Sequence, residues 1–439
     1  MPQRSDTDLP HLLPQERVFL LLQGPHGPFF DRLGRMLRMA GAQVWRAGFN
    51  AGDRFFWSDP AHFIAHLDPV ADWPAHLDRI IADKGVTDIV LYGDARPVHL
   101  AAREAAQRLG LTLHVFEEGY LRPFWISYER GGSNGWSELM NISIDRMRHD
   151  LRDARAEISR PPSHWGDMRQ HKFYGALYHF LLLTANRGFP AYKSHRKISV
   201  MQEFRLHLRR VILSPFLAMQ RRLETARIRR GGWPYVLVLM QLDHDASLRT
   251  HSDYSSQEAF IREVATAFAE NAPRHHHLVF KAHPLEDGRA RDRATIRQLA
   301  QGLGISDRVH YVLGGKLAGL MALARSAVTV NSTAAQQALW RGLPVLATGR
   351  GVFVKPGLVA DQSLAGFMAD PQRPDAAAYR IYRDYLLETS QIPGGFYAAR
   401  SRAHALRLVV DLMLAEDNPY DSLSRGRAAH RQQIVARDT

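Results

Sequence analysis

Val18-Phe-Leu-Leu-Leu-Gln-Gly-Pro-His-Gly-Pro-Phe-Phe30 decides the fold. Five apolar residues, too few for a helix, run into a polar loop punctuated by glycine and proline, and a helical pattern starts at Phe29. A strand that is apolar at every position is covered on both faces, as in a parallel sheet wrapped by helices. In such sheets the loops after the strand C-termini build the binding crevice, which makes Gln23 and Gly24 candidate substrate-binding residues.

Outward from this stretch the rhythm repeats. Predicted helices over 29–40, 73–84 and 98–109 alternate with predicted strands over 42–47, 88–92 and 112–116. Polar loops follow two of these strands, Gly93-Asp94 and Glu117-Glu-Gly-Tyr-Leu-Arg122. A second series predicts strands over 235–240, 277–281, 309–312, 327–330 and 344–347, interleaved with helices over 255–270, 289–303, 316–326 and 333–341. The fold class is therefore α/β with two Rossmann-like domains facing a cleft. The expected divisions are a flexible N-terminus over 1–16, an acceptor-side domain over 17–163, a basic helical insert over 164–232, a nucleotide-sugar-binding domain over 233–397, and a C-terminal helix with a polar, mobile tail over 398–439.

The 439 residues exceed what one core usually serves, and the 45% hydrophobic content is that of a folded chain. The absence of cysteine excludes thiolate metal sites and thiol nucleophiles. Val18 to Leu22 is too short for a signal-peptide core, and nowhere do about 18 apolar residues run together, so a cytoplasmic, soluble or peripheral protein is expected. The net charge of +13 calls for an anionic partner or surface. Without a helix-turn-helix, zinc-finger or RNA-binding signature, membrane or nucleotide is preferred over nucleic acid. Basic residues crowd the segment from Lys193 to Arg230, opposed only by Glu203 and Glu224. With Val211, Ile212, Leu213, Phe216, Leu217 and Met219 among them, the segment reads either as a solvated helix pair or as a membrane-contacting element.

Two constellations can carry chemistry. Lys281-Ala-His283-Pro284 ends a predicted strand, and Asn331-Ser332-Thr333 lies between a predicted strand and helix. A loop that opens a helix offers hydroxyls and backbone amides to a phosphate, and lysine and histidine add charge and directed hydrogen bonds, so Lys281, His283, Asn331, Ser332 and Thr333 form the candidate nucleotide-sugar donor site. Glycine-rich dinucleotide and P-loop fingerprints are missing. His275-His-His277 alternates faces along an extended segment, so no metal site is expected there.

The second constellation is Gln241-Leu-Asp243-His-Asp245-Ala-Ser-Leu-Arg-Thr-His251-Ser252. Transfer with retained anomeric configuration can proceed through a carboxylate nucleophile, for which Asp245 is chosen, with Gln241 and His251 as substrate-binding neighbours. Glu117 is the natural general base and Glu118 the competing one, since alternation turns one of the pair toward the crevice and the other away. Arg122 can clamp a carboxylate or phosphate. Each of these groups also has a plain alternative as a helix cap or solvated loop.

Taken together, Phe19-Leu-Leu-Leu-Gln-Gly-Pro-His-Gly-Pro-Phe-Phe30, Phe49-Asn-Ala-Gly-Asp-Arg54, Phe116-Glu-Glu-Gly-Tyr-Leu-Arg-Pro123, Gln241 to Ser252, Lys281-Ala-His-Pro284, Asn331-Ser-Thr333 and Gly395-Phe-Tyr397 resemble the capsule polysaccharide biosynthesis and export proteins of the KpsS type, and more distantly the KpsC type. The resemblance spans most of residues 17 to 400. Ala246-Ser-Leu248 and Asp253 depart from the pattern, which has a Ser-Gln-Ile type stretch and a proline there. The resemblance implies a GT-B-like retaining β-Kdo transferase that moves Kdo from CMP-β-Kdo to a lyso-phosphatidylglycerol or phosphatidylglycerol acceptor, starting a poly-Kdo linker. It implies no cofactor beyond the CMP-sugar substrate. The expected location is the inner face of the inner membrane, at an anionic surface holding the lipid acceptor and other capsule-assembly proteins. Glu117, Asp245, His283 and Ser332 fall at its catalytic and nucleotide-binding motif positions. The competing readings are another GT-B nucleotide-sugar enzyme, sialyltransferase-like or a UDP-sugar epimerase, and a non-catalytic assembly or export scaffold.

Overall fold

The computed structural model describes residues 13–122, 124–153, 168–192, 205, 213–242, 251–283, 286, 291–313 and 317–426. The chain divides into two compact units, one of residues 1–138, 149–200 and 384–439 and the other of 139–148 and 201–383.

The first unit holds β1 (Val18–Leu21), α1 (Phe29–Met39), β2 (Gln43–Gly48), α2 (Ala51–Phe55), β3 (Phe63–Ala65), α3 (Trp73–Lys84), β4 (Asp88–Tyr92), α4 (Pro97–Leu109), β5 (Thr112–Glu118) and β6 (Trp125–Arg130). With β12 (Gln391–Pro393) added from the far end of the chain, its sheet runs β12-β6-β5-β4-β1-β2-β3. The strands from β3 across to β5 are parallel, while β6 and β12 are antiparallel to their neighbours. Sequence order reverses between β1 and β4, the point at which open α/β sheets bind ligands.

Both faces of the sheet are buried, which is why the strands read as continuous apolar runs. Phe19, Leu21, Val90 and Phe116 pack against α1 and the Ala399–Leu414 helix. Leu20, Leu22, Leu91 and Val115 pack against α3 and α4. At the opposite, N-terminal edge, buried Asp88 pairs with Arg17 and with His114, whose other ring nitrogen meets the Tyr128 hydroxyl at 2.8 Å. These partners hold the Asp88 carboxyl down at about 2, against burial, which would raise it. Burial drops His114 to about 4. Arg17 also donates to the Met413 carbonyl at 2.6 Å, fastening the C-terminal helix to the first strand.

That fastening corrects the expected boundaries. The expected second domain runs to 397 and the expected separate helix and tail cover 398–439, but 384–439 belongs to the first unit. The reason is a strand too short to read alone: Gln391, Ile392 and Pro393 pair with Ser127, Ile126 and Trp125. Within the expected mobile tail, Pro419–Ser424 forms a helix with Tyr420 and Leu423 buried, and the Tyr420 hydroxyl donates to Glu129 at 2.8 Å. Residues 427–439 lie outside the described residues. Of the expected flexible N-terminus, Pro14–Glu16 forms a 3₁₀ turn. The expected insert over 164–232 is divided as well: the Met168–Thr184 helix joins the first unit against α2, and the Ser214–Gly231 helix joins the second.

The second unit carries β7 (Tyr235–Leu239), β8 (His277–Lys281), β9 (Val309–Val312), β10 (Ser326–Thr329) and β11 (Val345–Ala347) in one parallel sheet of order β11-β10-β7-β8-β9. The reversal here falls between β7 and β10. Val236, Val238 and Phe280 pack with Phe260, Ile261, Val264 and Phe268 of the Gln257–Asn271 helix. Residues 139–148 belong to this unit, and buried Lys355 donates to the Leu139 carbonyl at 2.6 Å and to that of Ile142 at 2.7 Å. Two α/β units of Rossmann type are thus present, as expected.

Candidate functional site

In the second unit, four loops meet at the C-terminal edge of the sheet. After β7, the Gln241 amide N–H donates to Gln257 Oε1 at 3.1 Å, and Gln257 in turn donates to Asp292 at 2.9 Å. Gln241 Oε1 then accepts the Asn331 amide at 3.3 Å, tying the β7 loop to the β10 loop at the point of reversal. Asn331 Nδ2 donates to the His251 carbonyl at 3.4 Å, and the Arg350 amide, after β11, donates to the same carbonyl at 2.7 Å. Gly349 permits that approach, since a Cβ there would lie 2.8 Å from Val330 Cγ1 and 3.0 Å from the His251 oxygen.

Lys281 closes β8 in the same edge. It is buried, its ammonium donates to the Ala282 carbonyl at 3.0 Å, and burial lowers it to about 8. His283 follows at a partly buried position, while Pro284 lies outside the described residues. Asp245, the expected nucleophile, also lies outside them, as do Asp243 to Thr250.

The helix after Asn331-Ser-Thr333 departs from expectation. It spans Ala335–Trp340, starting two residues later than Thr333, and is six residues long. Several amides of the loop are already engaged: Asn331 with Gln241, Ser332 with Thr329 Oγ1 at 3.2 Å, and Ala334 with Ser332 Oγ at 3.3 Å. The loop therefore presents the Ser332 and Thr333 hydroxyls, near Lys281, rather than the open amides of a long helix N-terminus. Both hydroxyl residues are partly exposed.

In the first unit, Glu117 and Glu118 end β5 side by side and point to opposite faces, because strand residues alternate. Glu118 shares the face of Phe116 and accepts a hydrogen bond from the Tyr92 hydroxyl at 3.2 Å. Tyr92 also bonds Tyr397, whose ring is stacked on His171 at 4.1 Å. Glu117 lies toward Gly93, whose left-handed φ of 68° and missing Cβ leave room for the carboxylate; a Cβ would come within 3.1 Å of Oε2. Glu117 Oε1 accepts the Glu118 amide at 3.1 Å. Burial, followed by the charges of Asp94 and Glu118, lifts Glu117 to about 7, so it changes protonation near neutrality.

Gly119 follows because Trp125 demands it: a Cβ would stand 2.3 Å from the Trp125 carbonyl oxygen. Arg122 curls back, its Nε donating to the Gly119 carbonyl at 3.2 Å, and its charge opposes the upward shift of Glu117.

Gln23 is buried and committed. Its Nε2 donates to Asp53 Oδ2 at 3.2 Å, an oxygen that also accepts the Phe49 amide at 3.0 Å. The other Asp53 oxygen accepts from the Tyr178 hydroxyl at 3.1 Å, and His26 stacks on the Tyr178 ring at 4.3 Å. Gly24 is pressed against Phe30, with a Cβ position 2.7 Å from its ring. The first loop is thus an internally bonded clamp. Asp53, Tyr178, Tyr92 and Asp94 take part in this edge of the sheet without a role that the sequence assigns them. Only Asp94 stands just past a strand end; Tyr92 closes β4, Asp53 lies in α2 and Tyr178 in the Met168–Thr184 helix, so nothing in their sequence positions groups them.

His276 is buried, while His277 and His310 have ring nitrogens 2.9 Å apart and both stack on Trp233. This triplet packs the start of the sheet, at the end opposite the candidate site.

The family model for "capsule polysaccharide biosynthesis protein" matches residues 87–397. The chain is 30% identical over 384 residues to the capsule polysaccharide export protein KpsS of Escherichia coli, covering 87% of this chain and 97% of that one. It is 29% identical over 406 residues to the capsule polysaccharide modification protein LipB of Neisseria meningitidis, covering 89% and 94%. Among solved structures, Thermosulfurimonas dismutans KpsC, a beta Kdo 2,7 transferase, aligns over 90% of this chain and 100% of that one, with 12% identity and a TM-score of 0.40. On the family match over most of its length, this chain belongs to the capsule polysaccharide biosynthesis protein family.

Proposed function

We propose that the chain is a glycosyltransferase of capsule polysaccharide biosynthesis that moves Kdo from CMP-Kdo, with retention, to a phosphatidylglycerol-type lipid at an anionic membrane surface. The observation that carries the reading is the junction at the β7–β10 reversal. There Gln241, Asn331 and the His251 carbonyl lock the loops, and Lys281, Ser332 and Thr333 offer one cation and two hydroxyls to a phosphate.

In this reading the second unit holds the nucleotide. Lys281 and the hydroxyls stabilise the CMP phosphate as its bond to the anomeric carbon breaks, and His283 adds a donor. Asp245 attacks the anomeric carbon to form a glycosyl ester. The acceptor hydroxyl then displaces that ester while its proton passes to a general base. Glu117 suits the base because its proton affinity matches neutral pH. The relatives' capsule names and the +13 charge support a capsule role at an anionic surface.

Mass spectrometry of purified protein with CMP-Kdo and lyso-phosphatidylglycerol tests this. A product heavier by one Kdo is expected. Turnover only with a UDP-sugar sinks the donor assignment, and capsule production that survives Asp245→Asn in cells sinks the enzyme reading in favour of a scaffold.

A further inference from the structure

The Ser214–Gly231 helix presents an arrangement that the transfer chemistry does not use. Its inner face is fixed to the second unit. Ile228 is buried, and Glu224, the only carboxylate in the helix sequence, accepts hydrogen bonds from Gln220, from Arg293 and from the Leu313 amide. Gly232, at φ 67°, ends the helix, and Trp233 anchors its exit by stacking on His277 at 3.9 Å.

The outer face is the converse. Phe216, Met219 and Leu223 follow one another at three- and four-residue spacing, so they lie on one stripe, and they are 68%, 53% and 63% exposed. Arg222, Arg227, Arg229 and Arg230 are exposed with them, flanking the stripe and continuing it toward the C-terminal end. A solvated helix would place charges where these three apolar side chains stand. Every charge that the helix presents on this face is an arginine, because its one glutamate is turned inward, so the face is complementary to an anionic surface.

We infer that this helix lies flat on an anionic lipid leaflet, with Phe216, Met219 and Leu223 in the acyl boundary and the four arginines among the headgroups. Apolar side chains bracketed by cations are the pattern of an interfacial helix, since arginine keeps its guanidinium at headgroup level while its stem stays apolar. No helix among the described residues is long and apolar enough to cross a membrane, so contact would be made from one side. The docking rests on the proposed function only for why a leaflet should be approached; the helix geometry stands without it.

The test uses the full chain, with vesicles of phosphatidylcholine alone and of phosphatidylcholine mixed with an equal part of phosphatidylglycerol. Co-sedimentation with the mixed vesicles is expected. The combined Phe216→Ser, Met219→Ser and Leu223→Ser variant should weaken it by about tenfold or more, and so should combined Arg222→Gln, Arg229→Gln and Arg230→Gln, the residual binding of the first being the more salt-sensitive. Unchanged binding in both variants overturns the proposal, as does equal binding of the wild type to phosphatidylcholine alone. So does a change of oligomeric state in the serine variant with vesicle binding intact, which would make the face a contact between copies. If the serine variant loses its thermal transition, the glutamine variant decides alone. Transfer to a detergent-dispersed acceptor, measured on the same proteins, separates the two claims: it should survive both variants, and its absence from the wild type would remove the donor reading while leaving the docking result standing.

Discussion

The two sheet reversals in this molecule are topologically the same and chemically opposite. Each unit orders its first five parallel strands so that the third, second, first, fourth and fifth lie side by side, and each gathers polar loops where the order turns. In the first unit the start of α2, the loop after β4 and the end of β5 carry Asp53, Asp94, Glu117 and Glu118. At the β7–β10 turn and the end of β8 the loops carry Lys281, Ser332, Thr333 and amide side chains. The scaffold supplies position, and the loop residues decide whether the position attracts a proton or an anion. Burial acts on both ends with opposite sign, raising Glu117 to about 7 and lowering Lys281 to about 8.

The largest expected effect is at the acidic end. Glu117→Gln should cut kcat/KM by roughly 10²–10⁴-fold, the usual worth of a positioned base. The wild-type rate should rise with pH through about 7, as the carboxyl loses its proton. Stability should move the other way. The folded protein holds this proton up to about 7, against a reference value of 4.5, so between those values the folded state binds more protons and stability falls as pH rises. At pH 8 the glutamine variant should therefore be the more stable, by about 1–2 kcal/mol after allowance for partial exposure. Kinetics and thermal melts at several pH values check both halves; a variant both active and less stable breaks the comparison.

At the cationic end the expected loss is smaller. Lys281→Met should weaken nucleotide-sugar binding by about 10–100-fold, as expected for one charge-assisted hydrogen bond, without unfolding the protein. The free lysine is lowered from 10.5 to about 8, so between these values the unfolded state holds more protons and stability rises with pH. A bound phosphate reverses the shift, and donor binding near pH 8–9 should take up a proton. Calorimetry in buffers of different ionisation enthalpy reads that uptake directly; none would remove Lys281 from the phosphate.

Glycine gives a structural version of the same contrast. Gly119→Ala places a Cβ 2.3 Å from a backbone oxygen, and Gly349→Ala places one at the longer distances of 2.8 Å from Val330 Cγ1 and 3.0 Å from the His251 carbonyl oxygen. Overpacking should cost about 2–3 kcal/mol at the first site and about 1–2 kcal/mol at the second, by denaturant unfolding. Equal costs would mean that the two loops are held by similar contacts.

The central parallel strands are legible because burial on both faces leaves no alternation to misread: 88–92 and 277–281 agree with β4 and β8, and 309–312 also agrees with the partly buried edge strand β9 and 73–84 with α3. The antiparallel additions are not. Gln391-Ile-Pro393 contains one apolar residue that packs in the core, and its strand character comes from Trp125–Ser127, far away in sequence. Tyr420 looks like a tail residue until Glu129 is seen beneath it. At the site, strand alternation announces that Glu117 and Glu118 face apart, but not which is raised. That depends on Asp94, one strand over, and on burial. Gln23 stands out for its place after a strand, and only the fold reveals that Asp53 holds its amide.

The smallest effect separates the two glutamates. Tyr92 donates to Glu118 on the face away from Glu117, so Tyr92→Phe removes one hydrogen bond worth about 0.5–1.5 kcal/mol and should lower kcat/KM by roughly 3–10-fold. If Glu117 is the base, the acid limb of the pH–rate profile should stay where it is, because the groups that raise Glu117 are burial, Asp94 and Glu118 charge, all of which remain. If Glu118 is the base, the lost hydroxyl had been bonded to the base itself, and the drop in kcat/KM should exceed that range. A larger drop in Tyr92→Phe, together with an active Glu117→Gln, would transfer the role to Glu118 and turn the working face of β5 toward Tyr92 and Tyr397.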